Sequence, residues 1–311
     1  MKLFKKEKKG NKRIITILGF KYIYYKKICK IKNFKTFDSL SKTIRQNICK
    51  LPKDIDLIVG IERSGIIPAY IIALFMNKNV CSFNEFINNL PLKHGNRNID
   101  SVDINNVLIV DDSCSSGKAI KEVKNKIKEL NLDNKYHFVY CVPYVTSHSK
   151  ENVDYYFEEV EQPRLFQWNY LNHVIAEKCC FDMDGVLCVD PSYEDNDDGI
   201  KYIEFIRNAK PLFIPKYEIH SIVTSRLEKY RKETEFWLQK NNIKYKNLYM
   251  LNMKSAEERR KLKCHAKFKA DIYKKLKDTV CFIESDSNQA QEIAKLSGKQ
   301  CICVTTDEFF E

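Results

Sequence analysis

Short apolar runs that end in acids or glycine recur along the chain, separated by stretches with helical spacing. The runs Leu57–Gly60, Val107–Val110, His137–Val142, Cys179–Phe181, Ile219–Val223, Asn247–Leu251, Val280–Ile283 and Cys301–Val304 read as strands. Continuous apolar character over four to six residues suits strands covered on both faces. Between them, Ile120, Val123, Ile127 and Leu130 repeat at helical spacing and predict a helix over Ala119–Leu130. Leu227–Gln239, Ala266–Leu276 and Ser287–Leu296 read likewise. Strands alternating with helices predict an α/β chain of two doubly wound, mainly parallel sheets.

Length and chemistry divide the chain into a basic arm at 1–35, a first domain with its linker at 36–176, and a second domain at 177–311. The stretch 144–176 lacks clean periodicity, follows Pro143 and contains Pro163, so it reads as the end of the first domain plus a linker. The formal net charge of +12 is concentrated at the N-terminus, where residues 1–30 carry eleven Lys/Arg against the single acid Glu7. That segment reads as a solvated arm whose charge suits an anionic membrane surface or a glycan. Nucleic acid is disfavoured, because the remainder is nearly neutral. The longest apolar run, Ile66–Met76, is interrupted by Pro68 and falls short of the ~18 residues a membrane span needs. With no secretory leader pattern either, the expected location is cytoplasmic, peripheral at the inner membrane face if the arm engages lipid. The twelve cysteines show no C-x-x-C spacing and sit largely in strand-like runs, as reduced apolar side chains do.

The stretch Val107–Ile120, VLIVDDSCSSGKAI, finishes an apolar strand with Asp111 and Asp112 and continues into a loop of small residues. Ligands of open parallel sheets bind beyond the carboxyl ends of the strands. Ser113, Cys114, Ser115, Ser116 and Gly117 let backbone N–H groups approach an anion at the start of the next helix. The two carboxylates suit hydroxyl donors or a cation. Phosphate and diol side by side describe a ribose 5-phosphate. The stretch resembles the 5-phosphoribosyl 1-pyrophosphate (PRPP) signature of type I phosphoribosyltransferases. Leu57–Ala69, LIVGIERSGIIPA, is similar to that family's pyrophosphate loop, with Glu62, Arg63, Ser64 and Gly65 at its turn; Ser64 stands where glycine is frequent. The resemblance implies a mobile closing loop within Phe83–Asp100, with Lys93 and Arg97 as its cations. It also implies displacement of pyrophosphate at the anomeric carbon, with Asp111 and Asp112 on the sugar hydroxyls and either one assisting the acceptor.

Cys179–Asp190, CCFDMDGVLCVD, places Asp182 and Asp184 two apart after another apolar strand. This resembles the first motif of haloacid dehalogenase superfamily phosphatases. The resemblance implies that Asp182 attacks phosphorus and that Asp184 protonates the leaving oxygen, then activates water. It further implies phosphate-binding hydroxyls at Thr224 and Ser225 in HSIVTSR, and a cation in HAKFKADIYKKL. Lys269 is the candidate there, with Lys267 and Lys274 as alternatives. Mg2+ would be held by Asp182, Asp184 and an acid of CFIESD, Glu284 or Asp286, with Asp286 preferred. About forty residues separate Asp184 from Thr224, which leaves little room for a large cap domain.

Together the two halves resemble the two-step ribofuranosylation systems of bacterial surface polysaccharides. The implied reaction is transfer of 5-phosphoribosyl from PRPP to a sugar hydroxyl of a glycan or lipid-linked oligosaccharide, followed by removal of the 5-phosphate. The alternative is a nucleobase phosphoribosyltransferase fused to a nucleotide 5′-phosphatase. Gln162–Asn169, QPRLFQWN, also resembles the first group but receives no role from the sequence; Phe166 and Trp168 there suit either a sugar or a packed core.

Overall fold

The computed structural model describes residues 4–9, 12–17, 20–25, 30–89, 103–262 and 264–311. The chain forms two compact units, one of residues 32–168 and one of residues 1–31 with 169–311. The basic N-terminal segment, expected to lack regular structure, forms three strands: β1 (Phe4–Lys9), β2 (Lys12–Ile17) and β3 (Phe20–Tyr25). They pair as an antiparallel meander in that order. The β-branched and aromatic residues interleaved with the lysines have the strand preference that net charge alone conceals.

In the unit of residues 32–168, β4 (Asn33–Lys35) precedes helix α1 (Phe37–Asn47), which Thr36 and Ser39 close with a capping box. Then follow β5 (Leu57–Gly60), α2 (Ile66–Met76), β6 (Asn79–Ser82), α3 (Phe83–Ile87) and β7 (Asn106–Val110). After a two-residue strand, β8 (Ser113–Cys114), come α4 (Lys118–Glu129), β9 (His137–Val145), β10 (Tyr155–Glu159) and β11 (Arg164–Phe166). The sheet runs β10-β9-β7-β5-β6 with all pairs parallel, and β11 pairs with β4.

Residues alternate across the pleat. Ile58, Leu108 and Val110 pack toward Leu40 and Ile44 of α1 and Ile72 of α2. Val59, Val107 and Ile109 pack toward Ile120, Val123 and Ile127 of α4. Both faces are covered, so the strands read as unbroken apolar runs. Pro68 lies in the first turn of α2, where a missing N–H costs no helical bond. The stretch expected as the end of the first domain plus a linker supplies β10 and β11. Their pairing within this unit overrides the missing periodicity.

In the other unit, β12 (Cys179–Phe181) leads through α5 (Ile200–Asn208) to β13 (Ile219–Leu227), α6 (Arg231–Lys240) and β14 (Tyr245–Leu251). The chain continues as α7 (Ala256–Leu262), α8 (His265–Lys275), β15 (Cys281–Glu284), α9 (Ser287–Ser297), β16 (Gln300–Cys303) and β17 (Phe309–Phe310). The order is β14-β13-β12-β15-β16-β17, parallel except for the last pair.

Each sheet therefore has a point where successive strands depart to opposite sides. It lies between β5 and β7 in one unit and between β12 and β15 in the other. Such switch points open a crevice at the carboxyl ends of the strands. Among the described residues no helix is long and apolar enough to cross a membrane, and the described cysteines are free thiols.

Candidate active sites

The first crevice is built where β5 and β7 end. Ile61 N–H donates to the Val110 carbonyl at 2.8 Å, tying the turn after β5 to the end of β7. Gly65 then starts α2 against that end. A Cβ there would stand 2.7 Å from the Val110 carbonyl oxygen and 2.8 Å from Asp111 Cα, so only glycine permits the approach. Glu62 accepts from Asn84 N–H at 2.8 Å; Glu62 and Arg63 are exposed, and the peptide joining them is cis. Glu62, Arg63 and Ser64 rim the crevice without lining the small cavity described next.

Asp111 and Asp112 are both buried. Asp111 Oδ1 accepts the Asp112 N–H at 2.8 Å. Asp112 Oδ2 accepts the Trp168 indole N–H at 2.7 Å. Among the described residues neither acid forms an ion pair. Burial, reinforced by the Asp112 charge, pushes the Asp111 carboxyl up to about 7. Asp111 and Ser113–Ile120 line a cavity of about 170 Å3. Gly117 turns the chain at φ +71°, and a Cβ there would meet the Asn152 side chain at 2.3 Å. Lys93 and Arg97 lie outside the described residues.

The second crevice gathers Asp182, Asp184, Thr224, Ser225, Lys269, Glu284 and Asp286 around one cavity of about 680 Å3. Asp182 ends β12 and is buried; its Oδ2 accepts from Lys269 Nζ at 2.6 Å. Lys269 also donates to Glu284 Oε2 at 2.7 Å and Gln289 Oε1 at 3.1 Å. Burial opposes the ammonium charge, but Asp182 and Glu284 outweigh it and raise the Lys269 pKa. Burial pushes the Asp182 carboxyl up to about 7, against the pull of Lys269. Lys267 and Lys274 are exposed, so of the three lysines it is Lys269 that meets the acids. Gly185 turns the chain at φ +74° where a Cβ would stand 2.3 Å from Ser285 Oγ.

Sequence reasoning missed Arg226. Its side chain is fully buried and grips Asp184 through Nε and Nη2, the shortest contact being 2.5 Å to Oδ1. The signal lay in an arginine within an apolar strand-like run: a buried guanidinium requires a carboxylate. Asp190 was missed as well and lines the same cavity.

A divalent cation finds a partial set of donors here. Among the described residues no three His, Cys, Asp or Glu side chains converge to cage a metal. Mg2+ takes one or two carboxylates and keeps several waters, and Asp182 and Asp286 both line the cavity. Lys269, Ser285 N–H and Asp286 N–H approach the Glu284 oxygens, and Lys269 and Met183 N–H approach those of Asp182, so both acids keep only part of their lone pairs for a cation. Asp184 offers little, with its carboxylate held by Arg226.

An open parallel sheet with an acid pair and a glycine-bounded loop at its switch point defines an α/β domain suited to phosphorylated sugars. Residues 30–171 match the family described as phosphoribosyl transferase domain, and that segment carries a type I phosphoribosyltransferase domain. Orotate phosphoribosyltransferase of Staphylothermus marinus is 33% identical over 97 residues, 30% of this chain and 46% of that protein. The chain thus spans about half the length of this curated relative. Among solved structures, xanthine-guanine-hypoxanthine phosphoribosyltransferase of Helicobacter pylori aligns at 14% identity and a TM-score of 0.35, covering 44% of this chain and 93% of that one. Purine phosphoribosyltransferase of Pyrococcus horikoshii aligns at 21% identity and a TM-score of 0.33, with the same coverage.

Proposed function

We propose that the chain transfers 5-phosphoribosyl from PRPP to a sugar hydroxyl of a surface glycan or lipid-linked oligosaccharide, then removes the 5-phosphate. The observation that carries this reading is the pair of acid-ended switch points in one chain, one beside a phosphate-sized loop and one beside a buried lysine. In the first step the acceptor oxygen bonds to the anomeric carbon as pyrophosphate leaves. Asp111 and Asp112 hold the ribose hydroxyls, and one of them takes the acceptor proton. Arg63 and the Ser113–Gly117 amides hold anionic oxygens, with Lys93 and Arg97 as further cations.

In the second step Asp182 bonds to phosphorus and the sugar oxygen leaves, taking a proton from Asp184. Water then cleaves the acyl phosphate with Asp184 as base. Lys269 fixes the attacking carboxylate, and Thr224 and Ser225 offer hydroxyls to the phosphate. Asp182 and Asp286 would hold Mg2+, which supplies charge neutralisation when bound. The basic N-terminal segment suits the anionic face of a membrane where such acceptors reside, with the rest of the chain in the cytoplasm.

Incubation with PRPP, Mg2+ and candidate oligosaccharides, read by mass spectrometry, should show a gain of ribose 5-phosphate followed by loss of phosphate. Asp182→Asn should stop at the phosphorylated product; dephosphorylated product from that variant would refute the assignment. The similarity to an orotate phosphoribosyltransferase favours a second reading, a nucleobase transferase joined to a nucleotide 5′-phosphatase. Turnover with adenine, guanine, hypoxanthine, xanthine, uracil or orotate would select it.

A further inference from the structure

The segment Gln162–Trp168 follows the sheet of its unit and runs extended through β11, held by its pairing to β4. Alternate residues of an extended strand share one face, and from this segment Gln162, Arg164 and Trp168 reach the acid-and-serine loop. Gln162 Nε2 donates to Ser115 Oγ at 3.4 Å. Arg164, buried, donates to the Cys114 carbonyl at 3.4 Å and to the Val160 carbonyl at 2.7 Å. Phe166 stacks on Trp168 with ring centres 4.7 Å apart and planes 5° from parallel. Trp168 ends the series with its 2.7 Å bond to Asp112.

We propose that this segment is a strap that holds the phosphoribosyl loop in its binding shape, with Trp168 as the positioning residue that orients Asp112 toward the ribose hydroxyls. The inference rests on the PRPP reading of the first crevice. Phe166 on one side and Phe37, 5.5 Å from the indole, restrict rotation of the ring. Its N–H is therefore delivered at a fixed point. Indole is a donor only and carries no charge. It aims Oδ2 of Asp112 without adding a charge of its own; Ser113 Oγ approaches Oδ1 at 3.4 Å, and the lone pairs that remain can accept from a diol. A lysine or arginine in its place would aim the carboxylate equally well but neutralise it.

The test compares two probes on the full chain with Mg2+: PRPP, which carries the diol, and inorganic pyrophosphate, which does not. Trp168→Phe keeps the ring and deletes the donor. A hydrogen bond to a charged group is worth about tenfold or more in affinity, so the variant should bind PRPP about tenfold more weakly. Its affinity for pyrophosphate should stay within about twofold, since that does not depend on Asp112 aim, while its melting temperature should fall by a few degrees because buried Asp112 loses a hydrogen bond. Equal weakening of both probes would make Trp168 a general packing residue and overturn the proposal. So would unchanged binding of PRPP. Wild-type protein that binds neither probe would remove the PRPP reading itself, a result distinct from either of those.

Discussion

The two crevices present the same backbone solution with opposite electrostatics. Each places two carboxylates at the end of a central parallel strand, beside a glycine that no other residue could replace without a clash. At the back pair each acid has a buried cation: Lys269 on Asp182 and Arg226 on Asp184. At the front pair Asp112 meets a neutral indole and Asp111 meets a backbone N–H. A carboxylate already paired with a cation keeps a defined position through a reaction that changes the charge around it. A carboxylate without a salt-bridge partner keeps its charge and part of its acceptor capacity for incoming hydroxyls. On the proposed reading, the back pair would serve bond making at phosphorus and the front pair would grip a sugar.

The largest consequence expected of this contrast is at Asp182. Losing a nucleophile typically costs several orders of magnitude in rate, so Asp182→Asn should lower phosphate release about a thousandfold or more while PRPP binding is unchanged. Release of phosphate and binding of PRPP, measured on the same preparation, would separate the two sites; a parallel loss would show that they do not act independently.

Next in size is Arg226→Met. Removing one partner of a buried ion pair costs about 3–5 kcal/mol. The Asp184 side chain is 19% exposed, which lets water share its charge, so the lower end, about 3 kcal/mol, is expected. Adding Asp184→Asn should recover part of that loss in denaturant unfolding, because the orphaned charge goes with it. No recovery would mean that the guanidinium serves packing alone.

Much of this was legible in the sequence because fully buried parallel strands announce themselves as apolar runs, and their ends as acids and glycines. Leu57–Gly60 and Cys179–Phe181 coincide with β5 and β12. Elements that depend on tertiary pairing were not legible. β11 is three residues long and exists through its pairing to β4, more than a hundred residues away. Helix α2 is apolar nearly all round, so no periodicity marks it. The links of Arg226 to Asp184 and of Trp168 to Asp112 escaped for one reason: each joins residues distant in sequence, a relation that spacing along the chain does not carry.

A smaller effect is expected at Gly65, whose role belongs to the shared backbone solution. Gly65→Ala forces β7 and the start of α2 apart, and overpacking of this kind costs about 1–3 kcal/mol. It should also weaken PRPP binding, since the displaced atoms are those of Asp111 and the Val110 carbonyl. Phosphate release from a small phosphomonoester, the reaction proposed for the other crevice, should not change.

The smallest effect tests the front pair directly. The Asp111 carboxyl is raised to about 7 by burial and by Asp112, above an unfolded value near 3.8. The folded chain therefore binds more protons than the unfolded chain between those values, and the stability this group contributes falls as pH rises from about 4 to about 7. Above that range the loss is complete. Asp111→Asn removes the titration, so the drop in melting temperature between pH 5.5 and pH 8 should narrow by about 4 °C relative to wild type. Asp182 is raised in the same direction, but it titrates in both proteins and cancels from the comparison. A drop of equal size in wild type and variant would mean that Asp111 ionises freely. The contrast between a front pair without a salt bridge and a back pair with one on each acid would then fail at its first member.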